Sequence, residues 1–262
     1  MKKLIFVTLI FLLLSCGCIS THQTPPGVSP TSRTVLQTPP GTSVPVTTST
    51  VIPNGTGGTV LTNENIKKHF LNIAFGRDNT YIEKSYPDPD YHLSFYLSGK
   101  FDDVDTALIM NFTKEYNKIT TTSTFSDEVI KSQQRAYPGE IDLVFFPAES
   151  LKSMDESSIR HKEINTQTGD ILFYIPRGND KLYINTDLTG DDRKHAIIKA
   201  ILYYLGYPGQ TYDYPDSIFY ANGFSNSVLT PLDIAAINTM YDARIYPGMS
   251  FDEARRTLLL NQ

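Results

Sequence analysis

Residues 195–242 constrain the fold of this chain more than any other segment. His195-Ala-Ile-Ile-Lys199-Ala-Ile-Leu-Tyr203-Tyr-Leu-Gly206 is dominated by apolar side chains and ends on glycine, which predicts a largely buried helix stopped by a residue tolerant of left-handed backbone. An irregular loop rich in Tyr, Pro and Asp follows, through Asp216-Ser-Ile-Phe219. Leu229-Thr-Pro-Leu-Asp233 then opens a second, capped helix that runs to Tyr241.

The remainder of the chain must supply a sheet and a core for this helical half. A chain of 262 residues holds one domain of up to about 200 residues plus tails, and such a domain buries roughly 70% of its unfolded surface. The net charge is −5, with 23 basic and 28 acidic residues, and the two signs are mixed along the sequence. No basic face is available, so nucleic acid is not an expected partner. The two cysteines, Cys16 and Cys18, both lie near the N-terminus. The remaining sequence therefore has no disulfide, no cysteine zinc ribbon and no thiol nucleophile.

Met1-Lys2-Lys3 is a positive start, and residues 4–14 form an apolar run far short of the roughly 20 residues that span a membrane. Residues 1–15 read as a secretion signal. Leu13-Leu14-Ser15-Cys16 resembles the lipobox of prokaryotic lipoproteins, which implies lipid on Cys16, with Cys18 as the alternative register. The implied location is the extracellular face of the cell membrane, held there by a lipid anchor. Residues 16–61, rich in Thr, Pro, Ser and Gly, cannot bury enough apolar surface to offset ordering and read as a disordered stalk. Asn54-Gly-Thr56 and Asn111-Phe-Thr113 are glycosylation sequons.

The globular domain is expected over residues 62–262. Apolar spacing and capping signals predict helices over 62–76, 102–118, 195–205, 231–241 and 250–260. Strands are predicted at 92–98, 120–125, 141–146, 170–175 and 181–185, the last two joined by a hairpin at Gly178-Asn179-Asp180. Helices gathered at both ends around the strands indicate an α+β domain with a mixed sheet.

Two resemblances meet in the C-terminal segment. Zincins of the metzincin group carry His-Glu-x-x-His-x-x-Gly-x-x-His, then a methionine turn and a helix with an Asp-Ile start, and this chain looks like that order from Lys199 to Tyr241. It also resembles a family of uncharacterised prokaryotic secreted domains, through Asp216-Ser-Ile-Phe219, Leu229-Thr-Pro-Leu-Asp233 and Met240-Tyr-Asp-Ala-Arg-Ile-Tyr-Pro-Gly248-Met-Ser250. The resemblance implies a zincin-like domain with an active-site-type helix.

Zinc chemistry of that kind requires two imidazoles one helical turn apart and a glutamate to take a proton from bound water. Aligned on Gly206, the two histidine positions hold Lys199 and Tyr203, the glutamate position holds Ala200, and the third ligand position is Gly209. Phe219 stands where the methionine floor would be. None of the required groups is present, so neither metal nor cofactor is expected. Gly-x-Ser-x-Gly elbows and phosphate-binding glycine loops do not occur either.

A substitute metal site built from His195, Asp213 and Asp216 is one reading of what remains. The preferred one is that Lys199 brings its ammonium to the metal's place and pairs with Asp213 or Asp216, because a buried lysine needs a partner. His195, Tyr212, Asp213, Asp216 and Phe219 are the expected lining of the remaining cleft. The tyrosines at 203, 204, 207, 212, 214 and 220 either make an aromatic binding wall or fill the space of a lost metal site. The expected function is non-catalytic binding of a peptide, glycan or envelope component. The alternative is a hydrolase with a non-standard site in the same cleft.

Overall fold

The computed structural model describes residues 61–76, 80–83, 93–120, 125–131, 140–178 and 181–259. The secretion signal, Cys16, Cys18, most of the stalk, the Asn54 sequon and the hairpin tip at Asn179-Asp180 lie outside those residues.

The chain begins with α1 (Asn63–Ala74), β1 (Leu93–Gly99) and α2 (Asp103–Thr120), followed by β2 (Phe125–Lys131) and β3 (Glu140–Phe146). A short helix, α3 (Ala148–Lys152), precedes β4 (Ile159–Ile164), β5 (Ile171–Pro176) and β6 (Lys181–Asn185). Helices α4 (Gly190–Tyr204), α5 (Pro231–Met240) and α6 (Phe251–Leu259) close the domain. One six-stranded sheet has the order β2-β1-β3-β6-β5-β4. The first four strands in that order pair in parallel, while β5 and β4 run antiparallel and form one edge. This is the mixed sheet expected of the α+β reading. Among the described residues no helix is long and apolar enough to cross a membrane.

Local chemistry explains the helix ends. Thr62 caps α1 by accepting from the Asn65 N–H. Asp102 and Asp105 cap the start of α2 reciprocally, each carboxylate accepting from the other's N–H at 2.9–3.0 Å. Gly206, at φ +99°, ends α4: its N–H donates to Tyr203 O while the Tyr207 N–H reaches Leu202 O, the paired bonds of a Schellman stop. Capping boxes open α5, between Thr230 and Asp233, and α6, between Ser250 and Glu253.

Three expectations change. The strand placed at 120–125 begins only at Phe125, because α2 continues to Thr120, whose buried hydroxyl bonds back to Tyr116 O. Helix α4 starts at Gly190, a full turn before His195. Strand β4 has no counterpart in the expected set: Ile-Arg-His-Lys-Glu-Ile shows no apolar alternation, and its place comes from pairing with β5.

Helices α2 and α4 pack on the sheet and on each other, and α1 packs on α5. Phe70, Phe95, Phe145, Phe173, Ile197 and Phe219 belong to one continuous core. A latch fixes where α4 enters it. Arg193 donates through Nε and one Nη to both oxygens of Asp105, at 2.8 and 2.6 Å, and its remaining N–H groups reach Thr186 O and Lys100 O. The bidentate pair ties the first turn of α4 to the cap of α2.

Candidate functional site

His195, Lys199 and Tyr203 lie four residues apart, so α4 presents them on one face. The strand facing that stripe is β4. The His161 ring stacks on the Tyr203 ring with centroids 4.1 Å apart. Its Nε2–H donates to Glu163 at 2.9 Å, and the other Glu163 oxygen accepts from Gln210 Nε2 at 2.8 Å. Burial opposes the Glu163 charge, but the His161 bond and the nearby Lys199 ammonium outweigh it and hold this carboxyl below its ordinary range.

Lys199 sits at the centre, only 2% exposed. Its ammonium donates to Gly209 O at 3.3 Å and lies 4.5 Å from the centre of the Phe219 ring. Burial lowers its pKa to about 8, against the raising effect of Glu163 and Asp233. His195 is equally buried, and its Nδ1–H donates to Asn226 O at 2.7 Å. Burial is the main cause of its pKa of about 4, so the ring is neutral at pH 7.

Gly209 admits the end of α1. Its N–H donates to Ile73 O at 2.9 Å, and a Cβ at this position would lie 1.9 Å from Asn72 O and 2.8 Å from Phe75 O. Only glycine allows that approach. Ala200 is wholly buried in the core beside these groups. The C-terminal turn of α1 thus closes the space next to Lys199 from one side, and β4 covers Tyr203 from another.

The residues expected to line a cleft separate into two sets. His195 and Phe219 are interior. Tyr212, Asp213 and Asp216 face solvent, with Tyr212 69% exposed. The pairing of Lys199 with Asp213 or Asp216 is not met, because the loop carries those carboxylates outward. Asp213 instead meets Lys68 of α1 at 3.2 Å, and Glu163 of β4 is the first acid that raises the Lys199 pKa. The tyrosines divide similarly: Tyr203, Tyr207 and Tyr214 fill the interior, while Tyr212 does not. Among the described residues no three His, Cys, Asp or Glu side chains are grouped as metal ligands would be.

A second polar centre lies deeper. Asp233, His69 and Ser217 are essentially without solvent contact. His69 Nε2–H and the Ser217 hydroxyl both donate to Asp233 Oδ1, at 2.7 and 2.5 Å, while Oδ2 completes the α5 capping box with Thr230. The residue types are those of a hydrolytic triad, but the wiring is not. A relay needs the imidazole between serine and aspartate, whereas here serine bonds the carboxylate directly and Nε2 faces both partners. This centre joins α1, the loop and α5.

Sequence reasoning missed His69, Glu163, His161 and Arg193: apart from the local His161–Glu163 bond, their partners Asp233, Gln210, Tyr203 and Asp105 are remote in the chain. The signal for Asp233 was visible only as a cap. Asn111 is exposed on α2, yet the Thr113 of its sequon is buried, with its hydroxyl bonded to Met110 O. Sugar transfer to Asn111 would therefore have to precede folding of α2.

An open concavity, a shallow pocket of about 570 Å³, lies between the end of α1, Gln210 and the start of α6. Gln210 joins the two regions, lining the pocket while its amide holds Glu163.

No curated protein and no solved structure matches the chain. A family model described as a protein of unknown function, DUF2927, matches residues 104–259. The match runs from the first turn of α2 to the end of α6 and includes every motif between Lys199 and Ser250. Because it covers more than half of the sequence, the chain belongs to the DUF2927 family.

Proposed function

We propose that this is a lipid-anchored protein of the outer cell surface. Its domain would be a zincin-like scaffold without peptidase chemistry, serving to bind a peptide, glycan or envelope component. The observation that carries the reading is the convergence at Lys199. Three positions that the zincin resemblance assigns to a first ligand, a third ligand and the site floor, Lys199, Gly209 and Phe219, meet around one ammonium. That layout supports the scaffold, and its chemistry speaks against the metal. An ammonium has three donors and no lone pair, alanine has no proton acceptor, and glycine offers no side-chain ligand. The residues present do not fit zinc.

Burial supports the same conclusion. A working hydrolytic site must admit substrate and water, whereas Lys199, Ala200, Tyr203 and His195 are all interior. Zinc analysis of the purified chain, joined to a protease assay with and without chelator, tests the reading. The expected result is no stoichiometric zinc and no cleavage. One zinc per chain with chelator-sensitive cleavage would overturn it in favour of a hydrolase with a non-standard site. The anchor is tested separately by mass spectrometry of the membrane fraction, where an unmodified, freely released form would contradict lipid on Cys16 or Cys18.

A further inference from the structure

We infer that the open pocket between α1, Gln210 and α6 is a binding site for a neutral oligosaccharide. The inference rests on the binding-module reading and names its ligand class. The pocket volume, about 570 Å³, lies within the roughly 300–1,000 Å³ typical of ligand sites. Its apolar wall is an aromatic pair, Phe75 and Phe251, whose rings meet edge-on with centroids 5.3 Å apart. Phe251 is 41% exposed, so part of this side chain borders the open space of the pocket. Around that pair stand the amides of Asn72 and Gln210 and the hydroxyl of Thr80.

Each group matches a feature of a sugar. A pyranose presents an apolar C–H face to an aromatic ring and equatorial hydroxyls to planar amides and carboxylates. Gln210 is positioned in advance, because its amide nitrogen is already bonded to the buried Glu163, which leaves its carbonyl end for another partner. Among the described residues that line the pocket, Asp252 is the one charged group. A lone carboxylate accepts hydroxyl donors and repels phosphate, sulfate or uronate, which disfavours an anionic ligand. An extended peptide is a poorer match. Peptides captured along their backbone pair with an exposed strand edge, and this pocket is bounded by a helix end, a loop and a helix start.

The test is titration calorimetry of the full chain with neutral tetrasaccharides of glucose, mannose, galactose and N-acetylglucosamine. Tetra-galacturonate and tetra-alanine serve as the anionic and peptide probes. At least one neutral tetrasaccharide is expected to bind with Kd on the order of 0.1–1 mM, a strength suited to a shallow polar site. Phe251→Leu, which keeps apolar bulk beside Phe75 but removes the ring face, is expected to weaken that binding roughly tenfold or more. Asn72→Ala and Thr80→Val are expected to weaken it severalfold. Thr80 is exposed, so its variant keeps the test meaningful should Phe251→Leu fail to fold.

Three results would overturn the assignment: no neutral saccharide binding at about 10-fold above that range, binding that all three variants leave unchanged, or tighter binding of tetra-alanine than of any sugar. Absence of sugar binding by a zinc-free, inactive protein would remove only this assignment. Chelator-sensitive cleavage would remove the binding-module reading beneath it.

Discussion

Arg193 and Lys199 are both cations held inside the same helix, six residues apart, and they are treated very differently. Arg193 meets Asp105 in a bidentate pair, satisfies two further carbonyls and lies over the Phe145 ring. The Asp105 bonds are the largest influence on it and raise its pKa. Lys199 has one carbonyl at 3.3 Å, an aromatic face and acids that act on it only through space, and burial lowers its pKa to about 8. One site is built for its charge and the other only tolerates it. The Lys199 ammonium is therefore the less fully compensated of the two buried charges on α4.

Breaking the well-built site should cost most. Arg193→Met leaves the Asp105 carboxylate, 3% exposed, without its partner, and removing one member of such a pair costs roughly 3–5 kcal/mol. Urea denaturation should show that loss as a lower midpoint with an unchanged slope. A loss below about 1 kcal/mol, the value of a surface pair, would remove the contrast between the two cations.

His195, the neighbour of Lys199 on the same face, should make the fold sensitive to acid. Its folded pKa of about 4 lies below the ordinary value of 6.5, so between those pH values the unfolded chain binds more protons. Stability must then fall as pH drops from about 6.5 towards 4. The loss reaches up to about 3 kcal/mol, because each pH unit between the two values is worth about 1.4 kcal/mol. His195→Asn keeps a donor for Asn226 O and should flatten that limb in pH-dependent denaturation. An unchanged acid limb would show that His195 is not the residue held neutral.

The tolerated cation should respond with the opposite sign from Arg193. Lys199→Met removes a charge whose burial is incompletely offset, so stability at pH 7 is expected to rise by about 1–3 kcal/mol. With a folded pKa of about 8 and an ordinary value of 10.5, the wild-type chain should gain stability as pH rises between those values, because the unfolded state binds the extra proton. The methionine variant should lose that rise. Destabilisation comparable to Arg193→Met would make the two sites equivalent.

The smallest expected effect sharpens the comparison from a neutral side. Tyr116 OH lies 2.8 Å from Tyr241 OH and 3.3 Å from Tyr207 OH, a buried relay that carries no charge. Tyr116→Phe should cost about 1 kcal/mol, the net value of an ordinary buried hydrogen bond, seen as a small change in thermal midpoint. A cost near that of Arg193→Met would mean that polar networks in this core matter regardless of charge.

Features written in short sequence windows were legible, and those written between distant residues were not. The stop at Gly206 and the starts at Thr62, Thr230 and Ser250 depend on neighbours within a few positions, so their chemistry is visible in the string. Strand β4 depends on β5, beside which it forms the sheet edge, and its sequence shows no apolar alternation of its own. His69 and Asp233 are 164 positions apart, and nothing local marks either as the other's partner. Lys199, Gly209 and Phe219, grouped from the string alone, do lie together in space. The surroundings of that group were not legible, since Glu163 rather than Asp213 or Asp216 is the first acid acting on the lysine, and α1 closes the cleft over Gly209.

The charge at the heart of this layout belongs, on this account, to the protein and not to a metal. Titrating Lys199 by heteronuclear NMR of its side-chain nitrogen, with Lys199→Met to assign the signal, measures that charge directly. The predicted result is a single transition near pH 8 that added zinc leaves unchanged. A transition near the ordinary 10.5, or one displaced by stoichiometric zinc, would contradict it.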